Sequence, residues 1–289
     1  MEPKGRKVTR YLISLILALF LVGCSTQFTY NNLSWLVYWY LDDYVELTSE
    51  QRKVFDQKLY AFQLWHRYNE LPRYQSHLDE LIKDVNKGPL TLARIEYHHQ
   101  AFIDHWQRLK QKAVPELVAM APMLSQQQVD QLFAALTKKN HERTDEIVKL
   151  QSAAKDKQLQ VMLDERLEGI SEWVGKLSPQ QKLLVSQANQ DYFDNRLLWL
   201  QYRARYQNEL KNAFSSAGNS DVLQARLTQL LLKPEPLRGQ PLQQQHSYNV
   251  KVYHQFLVEL GQSLTPTQRQ HLSAKIMKYH NDFNALALN

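Results

Sequence analysis

Cysteine is nearly absent from this chain of 289 residues, where Cys24 stands alone. A single cysteine excludes an internal disulfide and a zinc site built on paired thiolates, so the core must hold by packing. Glycine and proline are scarce, at 8 and 10 residues. Sustained period-two alternation between hairpin turns is missing, which argues against a strand-rich fold. The chain also lacks a G-x-S-x-G elbow, a phosphate loop, a dinucleotide fingerprint and an H-E-x-x-H pair, so the common motif-marked enzyme classes have no foothold.

The first residues are organised for export. Lys4, Arg6, Lys7 and Arg10 precede an apolar run from Tyr11 to Val22 that Ser14 alone interrupts with a polar side chain. About a dozen residues fall short of the ~20 that a membrane-spanning helix needs. The run closes on Leu21, Val22, Gly23 and Cys24. That ending resembles the bacterial lipobox, in which a diacylglycerol joins the cysteine sulfur, cleavage precedes the cysteine, and the new amine takes an acyl chain such as palmitate. The expected organisation is a signal peptide over 1–23, a lipidated N-terminus and short tether over 24–32, and a helical domain over 33–289. The resemblance, with Ser25 rather than aspartate after the cysteine, implies an outer-membrane protein on the periplasmic face. Its first expected partner is then the membrane itself, through the N-terminal acyl groups.

Charge reads differently once the signal is set aside. Residues 1–23 hold four of the 35 Lys/Arg and one of the 29 Asp/Glu, so the remainder carries 31 against 28 and the net falls from +6 to +3. Most of the apparent basicity belongs to the signal, and no nucleic-acid partner is expected.

Helical periodicity dominates the rest. Leu92, Ile95, His99, Phe102, Trp106 and Leu109 recur at spacings of three and four, the stripe of one helix face. Leu64 to Val85 keeps a similar rhythm through Pro72, where a kink or a break between stacked helices is expected. The expected fold is all-α, a single elongated domain of about eight helices, with "KPEPLRGQPL" (233–242) as a loop inside it.

Four helix starts share one pattern. Thr48 with Gln51, Ser125 with Gln128, Ser178 with Gln181, and Thr265 with Gln268 each follow a leucine as L-[TS]-x-x-Q. The hydroxyl can cap the helix while the glutamine reaches back to the cap's N–H, a capping box that needs no function to explain it. The intervals of 77, 53 and 87 residues are too uneven for a solenoid. The same string resembles a signature of the Spy/CpxP-type periplasmic chaperones, though over only five residues at each place. More broadly, "YNNLSWLVYWYLDDYVELTSEQ" (30–51) resembles the opening of an uncharacterised family of proteobacterial all-helical lipoproteins. This likeness implies an all-α lipoprotein of about this length and brings no activity.

Candidate binding residues fall in two places. Phe28 to Val45 holds seven aromatics, among them Trp35, Tyr38 and Trp39. A helix over 33–45 would be apolar around most of its circumference, either packed on the body, the preferred reading, or lying at the headgroup level of a membrane. Arg196, Trp199, Arg203 and Tyr206 follow one another along a second helix, a pattern that suits anionic sugars or phosphates and equally suits Arg stems covering apolar neighbours. Asp42 and Asp43 point about 100° apart on a helix, so one is expected to meet a basic group and the other solvent. His98, His99 and His105 do not converge on one helix, and His141 with Asp145 supplies only two ligands, so no metal is expected. No cofactor and no catalytic residue is assigned.

The expected function is therefore non-enzymatic: binding, scaffolding or chaperone-like work in the envelope, with an envelope protein or an unfolded client as partner. The competing reading is an envelope enzyme acting on peptidoglycan or lipid. Lytic transglycosylases resemble this class, but their catalytic glutamate is usually followed by serine, and no Glu-Ser dipeptide occurs. Cys24→Ala is expected to abolish acyl labelling and membrane fractionation in cells. Retention at the membrane without label would refute lipidation.

Overall fold

A computed structural model describes residues 25–215 and 218–288, so Leu21, Val22, Gly23, Cys24 and the rest of the signal lie outside the described residues. The described residues are all-helical. In chain order the helices are α1 (Ser25–Asn31), α2 (Leu33–Leu41), α3 (Ser49–Trp65), α4 (Leu71–Lys87), α5 (Leu92–Met120), α6 (Gln126–Gln151), α7 (Lys155–Val174), α8 (Pro179–Asp191), α9 (Arg196–Phe214), α10 (Ser220–Leu232), α11 (Gln240–Ser263) and α12 (Pro266–Leu288).

All four L-[TS]-x-x-Q segments begin helices as capping boxes. The backbone N–H of Thr48, Ser125, Ser178 and Thr265 donates to its own glutamine at 2.9, 2.9, 2.9 and 3.1 Å. The hydroxyls in turn accept from the backbone of Gln51, Gln128, Gln181 and Gln268. The starts then join in two pairs. Gln51 and Gln128 exchange side-chain amide hydrogen bonds at 3.0 and 2.7 Å, and Gln181 and Gln268 do so at 2.8 and 2.9 Å. Each remaining amide N–H reaches the carbonyl two residues before the partner's cap: Gln51 to Met123, Gln128 to Glu46, Gln181 to Ser263 and Gln268 to Lys176. All four glutamines are buried, and each amide has both donors and both acceptor positions filled. Full satisfaction is what makes burying a polar amide tolerable.

The pairs divide the chain into two halves built to one plan. In the first, α3 runs through a turn of π-helix, His66–Glu70, into α4, followed by α5 and α6. In the second, α8 breaks at residues 192–195 before α9, and the α5 position is taken by α10 and α11. The halves exchange their last helices: α6 packs on α9, and α12 packs on α4. The uneven intervals thus belong to two paired units rather than an array.

The described residues form more helices than the about eight expected and one compact rather than elongated domain, because the last helices of the two halves pack back across each other; the additional boundaries are local. α6 and α7 separate at Ala153–Ala154 with no glycine or proline, where the side chain of Gln158 donates to the carbonyls of Gln151 and Ala153 at 2.9 and 2.8 Å. The 233–242 segment holds a short 3-10 turn, Glu235–Arg238, and already enters α11 at Gln240. Pro72 is carried without a break, because the π turn just before it re-registers the hydrogen bonds, with Leu71 N–H donating to the His66 carbonyl.

Packing is divided among three clusters. One joins Val114, Val118 and Ala121 to Ala213, Leu223 and Leu227. A second holds Val174, Leu177, Val185, Phe256 and Leu260, and a third Leu78, Ile82, Val85 and Ile276. The periodic stripe on α5 is mostly not core: Ile95 is buried, but Phe102 and Trp106 are 50% and 60% exposed. They face the spaces between the clusters.

Gln181→Leu leaves the Ser178 N–H, the Ser263 carbonyl and half of the Gln268 amide without partners. A loss of about 2–4 kcal/mol is expected in urea unfolding, against about 1 kcal/mol for Ser178→Ala. The double variant Gln181→Leu/Gln268→Leu should cost clearly less than the sum of its single changes.

Candidate functional site

The segments expected to bind do not behave as units. α2 lies on the body with one face half-buried and has no fully buried residue, so it packs on the body without entering the core. Leu33, Leu36, Val37, Tyr38 and Leu41 turn towards the body, whereas Trp35 and Trp39, one turn apart, are 66% and 65% exposed. Tyr38 is fixed: its hydroxyl donates to Asp56 at 2.7 Å and Arg52 lies over its ring. Ser25–Asn31, in the expected tether, is helical and lies against α12, with Gln27 donating to Asp282 at 3.2 Å. Asp42 and Asp43 are both paired, with Arg52 at 3.1 Å and Lys139 at 3.3 Å, where one had been expected in solvent.

Arg196 leaves its group as well. It binds Asp194 through two nitrogens at 2.8 and 2.6 Å and holds that carboxyl below the usual carboxylate range, closing the first turn of α9. Trp199, Arg203 and Tyr206 instead face a cleft of about 1590 Å³. Tyr30, Leu33, Tyr40 and Tyr44 line the same cleft from the N-terminal segment, so both aromatic regions of the sequence meet there. Trp106 and Lys110 enter from α5, Arg143 from α6, and Arg238 with His246 from the region of the 233–242 loop.

Around its aromatic rings the cleft carries Lys110, Lys139, Arg143, Arg203 and Arg238 against Glu142, Glu146 and Glu235, a lining of both signs with a positive excess. Burial pushes His66 and His246 below the ordinary histidine range, so both are neutral at pH 7 and the charge comes from arginine and lysine. Burial also drives the Tyr206 hydroxyl up to about 12. The Arg238 guanidinium lies 5.5 Å from the Trp199 ring centre, and its buried Nε–H has no hydrogen-bond partner. A buried donor without an acceptor is costly and is the kind of group that a ligand oxygen would satisfy. Sequence reasoning passed over Arg238 and Tyr202 and read Trp106 only as part of an apolar stripe. The usable signal was the longest interruption between helices, since loops on a rigid scaffold often carry binding groups.

The histidines reassemble in a way their spacing concealed. His98 and His105, which do not meet on their own helix, converge on His77 of α4. Arg108 can only donate to His105 Nδ1, so His105 Nε2–H donates to His77 Nδ1 at 3.1 Å. His77 Nε2–H then donates to His98 Nδ1 at 3.0 Å, and His98 Nε2–H to Asp84 at 3.1 Å. The chain is satisfied only with three neutral imidazoles. It ends at Glu70, 1% exposed and held by Arg108 at 3.0 Å. His99 belongs elsewhere, with His254 at 2.9 Å. Among the described residues no group of three or more His, Cys, Asp or Glu side chains is arranged to hold a metal ion. No described helix is long and apolar enough to cross a membrane.

The fold and cleft define a class: an all-helical protein built from two intertwined halves with an aromatic, basic cleft between them. The chain belongs to a family of unknown function (DUF6279), matched over residues 43–243. No curated protein and no solved structure matches it. The matched span starts just after α2 and includes Trp199, Arg203, Tyr206 and Arg238.

His77 has its pKa lowered to about 4, first by burial and then by the repulsion it would meet from His105 and His98 as they take up protons. The unfolded chain therefore takes up a proton first as the pH falls below about 6.5, and stability present at pH 7 is lost as pH drops from about 6.5 towards 4. Urea unfolding should show about 1–3 kcal/mol less stability at pH 5 than at pH 7, with a smaller difference in His77→Phe. An unchanged difference in that variant would remove His77 as its source.

Proposed function

We propose that the protein is a lipid-anchored periplasmic lipoprotein of the outer membrane that binds, rather than transforms, an anionic ligand of the cell envelope. Acyl groups on Cys24 would hold it at the membrane. Trp35 and Trp39, exposed within twenty residues of that anchor, suit the headgroup level, where Trp side chains concentrate. The cleft would then open beside the membrane surface, because its Tyr30, Tyr40 and Tyr44 walls lie on the same N-terminal segment.

The observation that carries the reading is the unpartnered Arg238 Nε–H inside an aromatic cleft. Arg203 and Arg238 are half-buried beside Trp199, Tyr202 and Tyr206 and form no ion pair with a carboxylate among the described residues. Flat aromatic faces beside charge-bearing forks match a sugar that carries carboxylate or phosphate groups. A chaperone-like role would use the same cleft for an unfolded client, and the test below separates the two.

Purified protein should bind the soluble anionic muropeptide fraction of peptidoglycan saturably, without releasing new fragments from it. Arg203→Ala combined with Arg238→Ala should weaken that binding by roughly tenfold or more with the fold intact. Equal affinity in the double variant would remove the cleft from the proposal. Failure to bind anionic glycans, together with suppressed aggregation of an unfolded client, would transfer the assignment to a chaperone.

A further inference from the structure

A second cleft, of about 810 Å³, lies between the cluster of Val174, Val185 and Phe256 and that of Leu78, Val85 and Ile276. It is more apolar than the first and carries few charged side chains. Its deepest walls are Val85, Val174, Val185 and Ile276, all at most 4% exposed. Its rim carries Phe102, Trp173 and Tyr253, which are 41–50% exposed, so apolar surface runs from the core out to solvent. His99, bonded to His254, lines both clefts and forms part of the wall between them.

The space is suited to a long apolar chain. A cavity of roughly 150 Å³ lined by aliphatic residues suffices for benzene, and ordinary ligand sites run from roughly 300 to 1,000 Å³. Water is a poor occupant, because the polar groups lining the walls are largely committed to one another. Arg269 donates to the carbonyls of Val85 and Gly261 at 3.1 and 3.2 Å, and His98 is held by His77 and Asp84. Arg166 is different. Its guanidinium stacks 3.8 Å from the Tyr192 ring centre and makes no ion pair with a carboxylate among the described residues. Tyr192 and Tyr253 line the cleft beside it.

We propose that this cleft binds a long-chain fatty acid, with its hydrocarbon chain along the Val85–Val174–Val185–Ile276 floor and its carboxylate on Arg166. A single guanidinium held by Tyr192 but without a carboxylate partner favours a monoanion, and its two-pronged geometry fits a carboxylate. The apolar walls supply affinity in proportion to the chain length they cover. The site is separate from the aromatic, basic cleft and stands whether or not that cleft binds a glycan.

The test uses the full chain and cis-parinaric acid, a fluorescent fatty acid, at concentrations below its aggregation threshold. Tryptophan-sensitised emission should saturate, and oleate should compete. Gly169→Phe tests occlusion: Gly169 lines the cleft, and a Cβ added there meets no atom within 4 Å, so the new side chain starts in open space. It should reduce affinity at least tenfold with the helical circular dichroism and Tm preserved. Arg166→Gln should weaken binding of the acid about tenfold and leave competition by oleyl alcohol unchanged. Absence of saturable emission in the wild-type protein would overturn the proposal, as would wild-type affinity in Gly169→Phe. Equal affinity for the acid in Arg166→Gln would overturn the carboxylate assignment.

Discussion

Two buried pairs of glutamine amides hold the architecture in register. Each amide caps its own helix, exchanges two hydrogen bonds with its partner, and closes on the carbonyl just ahead of the partner's cap. Because every donor and acceptor is used, a helix start can be buried without the usual cost of orphaned N–H groups. The geometry also ties two chain segments to a single relative position, since sliding either helix by one residue would break the pair on both sides. The exchange of α6 and α12 between halves follows from starts fixed in this way.

From that frame comes the spacing between the core clusters. Between the clamped helices the chain leaves two clefts unfilled. One gap is lined by aromatic rings among charged side chains, the other almost wholly by apolar ones, aliphatic at the floor and aromatic at the rim. The α5 stripe borders both, with Trp106 on one side, Phe102 on the other and His99 on each. Residues that read as core by periodicity are therefore walls of clefts. The histidine chain from Arg108 to Asp84 braces α4 against α5 alongside, and its neutral imidazoles make this contact sensitive to acid.

Much of this was legible where the governing interactions are local. A capping box spans four residues, so all four helix starts could be located from hydroxyl and amide spacing alone. Part of the first cleft was also legible, because Trp199, Arg203 and Tyr206 share a face of one helix. Arg196 departed from them because Asp194, two residues away, offered a closer partner. His77 could not be joined to His98 and His105 by spacing, since it comes from a neighbouring helix. Arg238 was hidden for the same reason, in a loop whose path depends on α9, where Arg205 donates to the carbonyls of Leu237 and Arg238.

The sequence by itself determined that the chain is helical, where its capped helices begin, and that its scarce cysteine cannot brace the core. Those properties follow from periodicity, capping and composition, which act within a few residues. Only the tertiary structure decided that the four starts form two pairs, that aromatic regions some 160 residues apart share one cleft, and that an aliphatic gap opens beside it. Partners 77 and 87 residues apart in the chain have no local pattern linking them, so their meeting is settled by packing of the whole domain.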